Sequence, residues 1–210
     1  MSDDRVRSRR DFLTSWFGAF RDASKELSRE GPADPAKVLR PPGALDPDED
    51  FLAACTRCGD CIPVCPVDAI ITIEESDGRK LPAIDPGVKP CRLCTELPCV
   101  AACPDGALKA PEGGADEVRI GIAKVDPRHC ITFKGELCTR CHTACPYPDK
   151  ALMLIGSRPL VGSSACTGCG LCQYACPTHP KAIEVVPERD LVPGLRIPRN
   201  EYTGPGKWGG

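Results

Sequence analysis

The chain is poor in what usually holds 210 residues together: Leu, Ile, Val and Phe fill only 44 positions and aromatic residues make up 5 %. That is thin for an ordinary hydrophobic core, so something else must organise the interior. No apolar run approaches the roughly 20 residues that span a bilayer, so no transmembrane segment is expected and any membrane contact is peripheral or through another protein. The net charge is −2 and the basic residues form no stripe with interleaved aromatics, which argues against a nucleic-acid partner. There is no nucleophile constellation, no Gly-rich phosphate loop and no Cys-x3-Cys-x2-Cys loop of the radical-enzyme kind. Glu74-Glu75 and Asp48-Glu49-Asp50 read as solvated turns. These absences point away from an enzyme with its own substrate site.

What the chain has in excess is cysteine. Sixteen cysteines fall into four groups of four, each closing on Cys-Pro at Cys65-Pro66, Cys103-Pro104, Cys145-Pro146 and Cys176-Pro177. Cys55, Cys58, Cys61 and Cys65, like Cys166, Cys169, Cys172 and Cys176, follow Cys-x2-Cys-x2-Cys-x3-Cys-Pro. In that run three thiolates hold one [4Fe–4S] cluster and the fourth reaches a partner cluster. Cys91, Cys94, Cys99 and Cys103 stretch the middle spacing to four residues, and Cys130, Cys138, Cys141 and Cys145 stretch the first to seven. Both keep the ending. A cluster needs four converging sulfurs and tolerates such insertions, so sixteen ligands predict four [4Fe–4S] clusters, in pairs.

Disulfides and zinc also use cysteines. Disulfides belong to small secreted scaffolds and join distant segments, whereas Cys-x2-Cys-x2-Cys gathers three sulfurs round one point. Zinc sites seldom need a third Cys two residues on and then Cys-Pro, four times over. His129, His142 and His179 are unneeded as ligands because every group already has four cysteines; they read as surface or hydrogen-bonding residues. Gly59, Gly168 and Gly170 are expected to let backbone amides approach inorganic sulfide.

An internal repeat follows the cysteines. After each Cys-Pro comes a short apolar run, as at Ala69–Ile73, Ala107-Leu108, Ala151–Ile155 and Ala182–Val186. Each unit predicts a cluster-binding loop, a short helix ending near Cys-Pro, and a brief returning strand. Ile71–Glu74 and Leu81–Asp85 flank the turn signal Asp77-Gly78 as a hairpin, and Val118–Val125 before Asp126-Pro127 reads as another. The fold class is therefore α+β, with two ferredoxin-like modules at 47–112 and 116–188. Residues 1–46 form an N-terminal helix and linker, and 189–210 a solvated C-terminal tail in which Trp208 is a weak docking candidate. Spacing permits adjacent pairing of the groups, first with second and third with fourth, or nested pairing.

Ser8-Arg9-Arg10-Asp11-Phe12-Leu13 matches the twin-arginine export pattern. The apolar stretch after it is interrupted by Arg21, Asp22, Lys25 and Glu26, and no Ala-x-Ala follows. Read as a helix from about Asp11 to Arg29, it lines Phe12, Trp16, Phe20, Ala23 and Leu27 along one stripe. The expectation is cytoplasmic residence, peripheral to the membrane, with periplasmic residence through the twin-arginine motif as the alternative.

The chain resembles the NapG/MauM-type ferredoxins. The likeness lies in Leu39–Ala44, Phe51, Ala54–Gly59, the stretched second group, Arg119–Ala123, the unusual Cys130-x7-Cys138 spacing and Cys166–Gly170. It covers most of the chain but not the part before Leu39, where those proteins have an apolar export region. Such proteins carry four [4Fe–4S] clusters and accompany periplasmic nitrate reductase or methylamine dehydrogenase systems. The resemblance implies relay of single electrons between a quinone-linked or respiratory donor, such as a membrane quinol-oxidising protein, and a terminal reductase or other oxidoreductase. The alternative is a permanent electron-wiring subunit of a molybdenum or tungsten enzyme or hydrogenase; a metal-stabilised scaffold without redox activity is a third reading.

Overall fold

A computed structural model of the chain describes residues 33–75 and 77–202. The N-terminal amphipathic stripe, the twin-arginine pattern and Trp208 lie outside the described residues. Within 34–202 the regular elements are short, as a chain interrupted by 23 prolines and 20 glycines requires. Four α-helices are present among the described residues: α1 (Asp48–Ala54), α2 (Pro98–Ala101), α3 (Arg140–Ala144) and α4 (Leu171–Ala175). None is long enough to hold together alone, so each depends on what it packs against.

Among the described residues six strands make three antiparallel pairs. β1 (Ile70–Glu74) and β2 (Lys80–Ile84) form a hairpin in register Ile70 to Ile84. The Asp77-Gly78 signal is its turn, with Gly78 at φ +79°. β4 (Leu152–Ile155) and β5 (Arg158–Val161) form a second hairpin, joined through Gly156 and Ser157. The third pair is not a hairpin. β3 (Gly121–Val125) pairs with β6 (Ile183–Pro187), Gly121 opposite Pro187 and Val125 opposite Ile183. The expected local hairpin at Val118–Val125 is thus corrected: this strand takes its partner from beyond both later cysteine groups, because Ile122, Ala123, Ile183 and Val185 bury together.

One plan is used twice. In the second half an outer ladder, β3 with β6, brackets the third cysteine group, the β4–β5 hairpin and the fourth group. In the first half the bracket shrinks to an Ala44–Leu108 bridge, with Lys109 N–H donating to Gly43 O at 2.7 Å and Leu45 N–H to Ala107 O at 3.1 Å. It encloses the first group, the β1–β2 hairpin and the second group. The helix expected before each Cys-Pro is present in the second, third and fourth groups, whereas Asp60–Val64 makes only turns.

The apolar interior is small and fits around the cysteines. Phe51, Leu39, Leu81 and Ile84 are fully buried in the first half, and Leu152, Ile183 and Val185 are buried in the second. Arg40, 8 % exposed, lies over the Phe51 ring at 5.1 Å and donates to both Asp48 carboxylate oxygens at 2.8 and 3.0 Å and to Glu75 at 2.9 Å. The reading of 189–210 as a solvated tail needs correction for its described part, 189–202, because Leu191 is buried and two arginines pin the segment. Arg189 donates to Val38 O and Pro35 O at 2.8 and 3.0 Å. Arg196 donates to Cys166 O and Gly121 O, both at 2.7 Å, and to Glu188.

Candidate metal centres

The turn before each Cys-Pro decides where the sulfurs go. A residue preceding proline is barred from the helical region by the pyrrolidine ring. Cys145 and Cys176 accordingly leave α3 and α4 with ψ of 130° and 127°. The chain swings out at these cysteines, and the fourth thiol of a group parts from the three before it. Those three sit on a curled loop. The residue before the second cysteine takes a left-handed conformation at Arg57 (φ +65°), Leu93 (φ +51°) and Gly168 (φ +79°) in the first, second and fourth groups. Left-handed residues of this kind occur in concave backbone turns whose N–H groups face one point.

Four spaces result among the described residues, each lined by four cysteines and numbered by the group that supplies three of them. Site 1 gathers Cys55, Cys58 and Cys61 with Cys103. Site 2 gathers Cys91, Cys94 and Cys99 with Cys65. Site 3 gathers Cys130, Cys138 and Cys141 with Cys176. Site 4 gathers Cys166, Cys169 and Cys172 with Cys145. Adjacent groups therefore exchange their fourth cysteines, which resolves the alternative that spacing left open. All sixteen predicted residues lie at these sites.

The spaces suit a polynuclear guest. All sixteen cysteines are free, so none is used in a disulfide. Among the described residues no three His, Cys, Asp or Glu side chains converge as one metal ion requires, whereas zinc draws thiolates to about 2.3 Å. The remaining lining is apolar and small, as with Ala69, Ile70 and Pro66 at site 2 and Ala123, Ala151 and Val185 at site 4. Without a guest, burial pushes the Cys61 and Cys91 thiols up to about 12, with neighbouring thiolates adding to the shift, and Cys99 and Cys141 up to about 11. Burial raises Cys172 as well. A metal guest held by these residues takes them as thiolates, so its uptake would release protons.

Donors to sulfur are also in place. Ala69 N–H donates to Cys65 Sγ at 3.3 Å, Leu93 N–H to Cys91 Sγ at 3.4 Å and Ala123 N–H to Cys166 Sγ at 3.4 Å. The Thr132 hydroxyl lies 3.2 Å from Cys130 Sγ and the Thr178 hydroxyl 3.3 Å from Cys176 Sγ. Burial raises Cys176, but the Thr178 hydrogen bonds and the Lys181 charge outweigh it and lower its pKa. Sequence reasoning passed over these threonines, although both stand two residues after a ligand-type cysteine. Arg196 was missed with no local signal at all.

The histidines stay out of the sites. His129 Nδ1 pairs with Asp126 and His142 Nε2 with Asp149, each at 2.9 Å. Gly59 lines site 1, and Gly168 and Gly170 line site 4, where the last two also admit close packing. A Cβ on Gly168 would fall 2.4 Å from Gly121 N and O, and one on Gly170 2.4 Å from Pro86 Cβ. What they admit is another stretch of this chain, the β3 backbone in one case and the first half in the other.

Comparison with known proteins agrees with this geometry. A 4Fe-4S dicluster domain family matches residues 54–107, and a second 4Fe-4S dicluster domain family matches 122–177. The methylamine utilization ferredoxin-type protein MauM of Methylorubrum extorquens is 42 % identical over 146 residues, which cover 64 % of this chain and 66 % of that protein. MauM of Paracoccus denitrificans is 40 % identical over 146 residues, covering 64 % and 65 %. The ferredoxin-type protein NapG of Escherichia coli is 37 % identical over 146 residues, covering 63 % of each. The chain thus spans just under two thirds of the length of these curated relatives.

Proposed function

We propose, for a chain that belongs with the MauM and NapG ferredoxin-type 4Fe-4S proteins, that it relays single electrons through four [4Fe–4S] clusters between a quinone-linked or respiratory donor and an oxidoreductase. The observation that carries this reading is the set of four spaces, each lined by three cysteines of one group and one of its neighbour. A thiolate-held cubane, when bound, takes up and gives up one electron with little movement of its ligands. The chain's part is to hold, insulate and bias. The sixteen cysteines are the ligands, four to a site as described. Small apolar side chains keep water from the inner sites, and the N–H and hydroxyl groups directed at Cys65, Cys91, Cys130, Cys166 and Cys176 favour the more negative state of the sulfurs they face.

This reading makes the chain a carrier and not an enzyme. Among the described residues no helix is long and apolar enough to cross a membrane. The partners are therefore redox proteins met at the surface. The charges that interrupt the N-terminal apolar stretch favour a cytoplasmic location, and recovery of the protein in a periplasmic fraction would replace that with export. Exposed Leu137, Ile155 and Leu160 favour the second reading, a permanent wiring subunit whose neighbour covers them. Recovery of a free monomer supports a carrier, and a stoichiometric complex supports a subunit.

The deciding measurement is anaerobic purification followed by iron and sulfide analysis, with about 16 of each expected per chain. A broad visible absorption that dithionite bleaches reversibly is expected alongside. A colourless, folded protein containing only zinc would overturn the reading.

A further inference from the structure

The four sites occupy an order that the sequence does not follow. Within each half, neighbouring sites share short spans of chain: Cys61 to Cys65 and Cys99 to Cys103 join sites 1 and 2, and Cys141 to Cys145 and Cys172 to Cys176 join sites 3 and 4. Four residues advance about 6 Å along a helix, as from Cys141 and Cys172 through α3 and α4, and the turns from Cys61 to Cys65 are as short in sequence, so the sites of one half are close. Between the halves the contact is made by particular groups. Cys91 N–H donates to Cys169 O at 2.9 Å, which ties a cysteine of site 2 to a cysteine of site 4. The approach continues on both sides of that bond. Pro86 packs so tightly on Gly170 that no side chain fits between them, and a Cβ on Gly87 would stand 3.4 Å from Gln173 Nε2.

Burial grades the same way. Site 4 has three cysteines at most 8 % exposed, Cys166, Cys169 and Cys172, and site 2 has two, Cys91 and Cys99, whereas sites 1 and 3 have one each, Cys61 and Cys176. Site 1 presents Cys58 to solvent, and Cys130, Cys138 and Cys141 of site 3 are only half-buried. Leu137, beside Cys138, is 87 % exposed.

We propose that electrons cross between the halves at the Cys91–Cys169 junction, so that conduction runs site 1, site 2, site 4, site 3, and that external redox proteins exchange electrons at sites 1 and 3. This rests on the reading of the four spaces as [4Fe–4S] sites. An external one-electron donor protein is oxidised at one end and an external acceptor protein is reduced at the other, with no net change in the chain. Sites 2 and 4, whose cysteines are the more buried, are intermediates and not points of exchange.

The test is magnetic and needs no partner. Cys138→Ala silences site 3 and Cys172→Ala silences site 4; each should lower iron from about 16 to about 12 per chain. In dithionite-reduced Cys138→Ala the three remaining clusters should all show electron paramagnetic resonance broadened by mutual coupling, because site 4 still adjoins site 2. In reduced Cys172→Ala, site 3 loses its neighbour, and a sharp uncoupled signal of about one third of the spins should appear. Conduction in chain order predicts the reverse, with the sharp third in Cys138→Ala and none in Cys172→Ala. A sharp third in Cys138→Ala overturns the proposal even if the buried Cys172 variant does not fold. Native protein without iron and sulfide would instead remove the [4Fe–4S] reading itself.

Discussion

The two halves of the molecule hold equivalent sets of eight cysteines by unlike means. The first closes its bracket with one bridge, Ala44 to Leu108, and relies on a packed centre of Phe51, Leu39, Leu81 and Ile84 under the Arg40 guanidinium. The second has no buried aromatic among its described residues and relies on the five-residue β3–β6 ladder, held at its start by Arg196. Side-chain packing and backbone pairing are thus interchangeable supports for the same sulfur geometry. What both keep is the arrangement that places sulfurs, namely three cysteines of one group joined by the fourth cysteine of its neighbour.

Substitutions can break this contrast one support at a time. The largest effect is expected from Phe51→Ala, which empties the first half's centre at a cost of about 3–5 kcal/mol. Thermal scans of the loaded protein should then show early bleaching of about half the visible absorption, because sites 1 and 2 go first. Simultaneous loss of all the absorption would mean that the halves do not differ in this way. Gly168→Ala attacks the other support. It sets a Cβ against Gly121 at φ +79° and should cost about 1–3 kcal/mol, with hydrogen exchange quickening along β3 and β6 but not along β1 and β2. Arg40→Met leaves the Asp48 and Glu75 carboxylates facing each other without their shared donor. Because both are partly exposed, about 1–2 kcal/mol is expected, measured as a lower denaturation midpoint for the first half alone. The smallest effect belongs to Leu137→Ser. This side chain is almost wholly exposed, so stability should change by less than about 0.5 kcal/mol, and a clear loss would show that it packs against something.

Much of the site was legible in the residues. Ligand-type cysteines announce themselves by spacing, and Asp77-Gly78 between two apolar alternations marked the first hairpin. The pairing of groups was not legible, because Cys-Pro says that the fourth sulfur leaves its group and not which group receives it. β5 escaped notice since Arg158-Pro159 interrupts its apolar pattern, and Pro159 is admitted in a two-stranded ladder with a free edge. The partner of β3 lies about 60 residues on, beyond the reach of any local pattern. Residues 189–202 look solvated by composition, yet Arg189 and Arg196 anchor them by donating to backbone carbonyls. Every residue type has such carbonyls, so composition cannot reveal the anchor.

The exchange of fourth cysteines stays inside each half, and this has a consequence for biosynthesis. Once Cys103 has left the ribosome, the first half has all eight of its thiols and waits for nothing downstream. The second half follows the same rule at Cys176. A chain halted between Cys65 and Cys91 holds three thiols for one site and a single thiol for the next, so both sites of this half gain their full sets of thiols within one short stretch, Cys99 to Cys103.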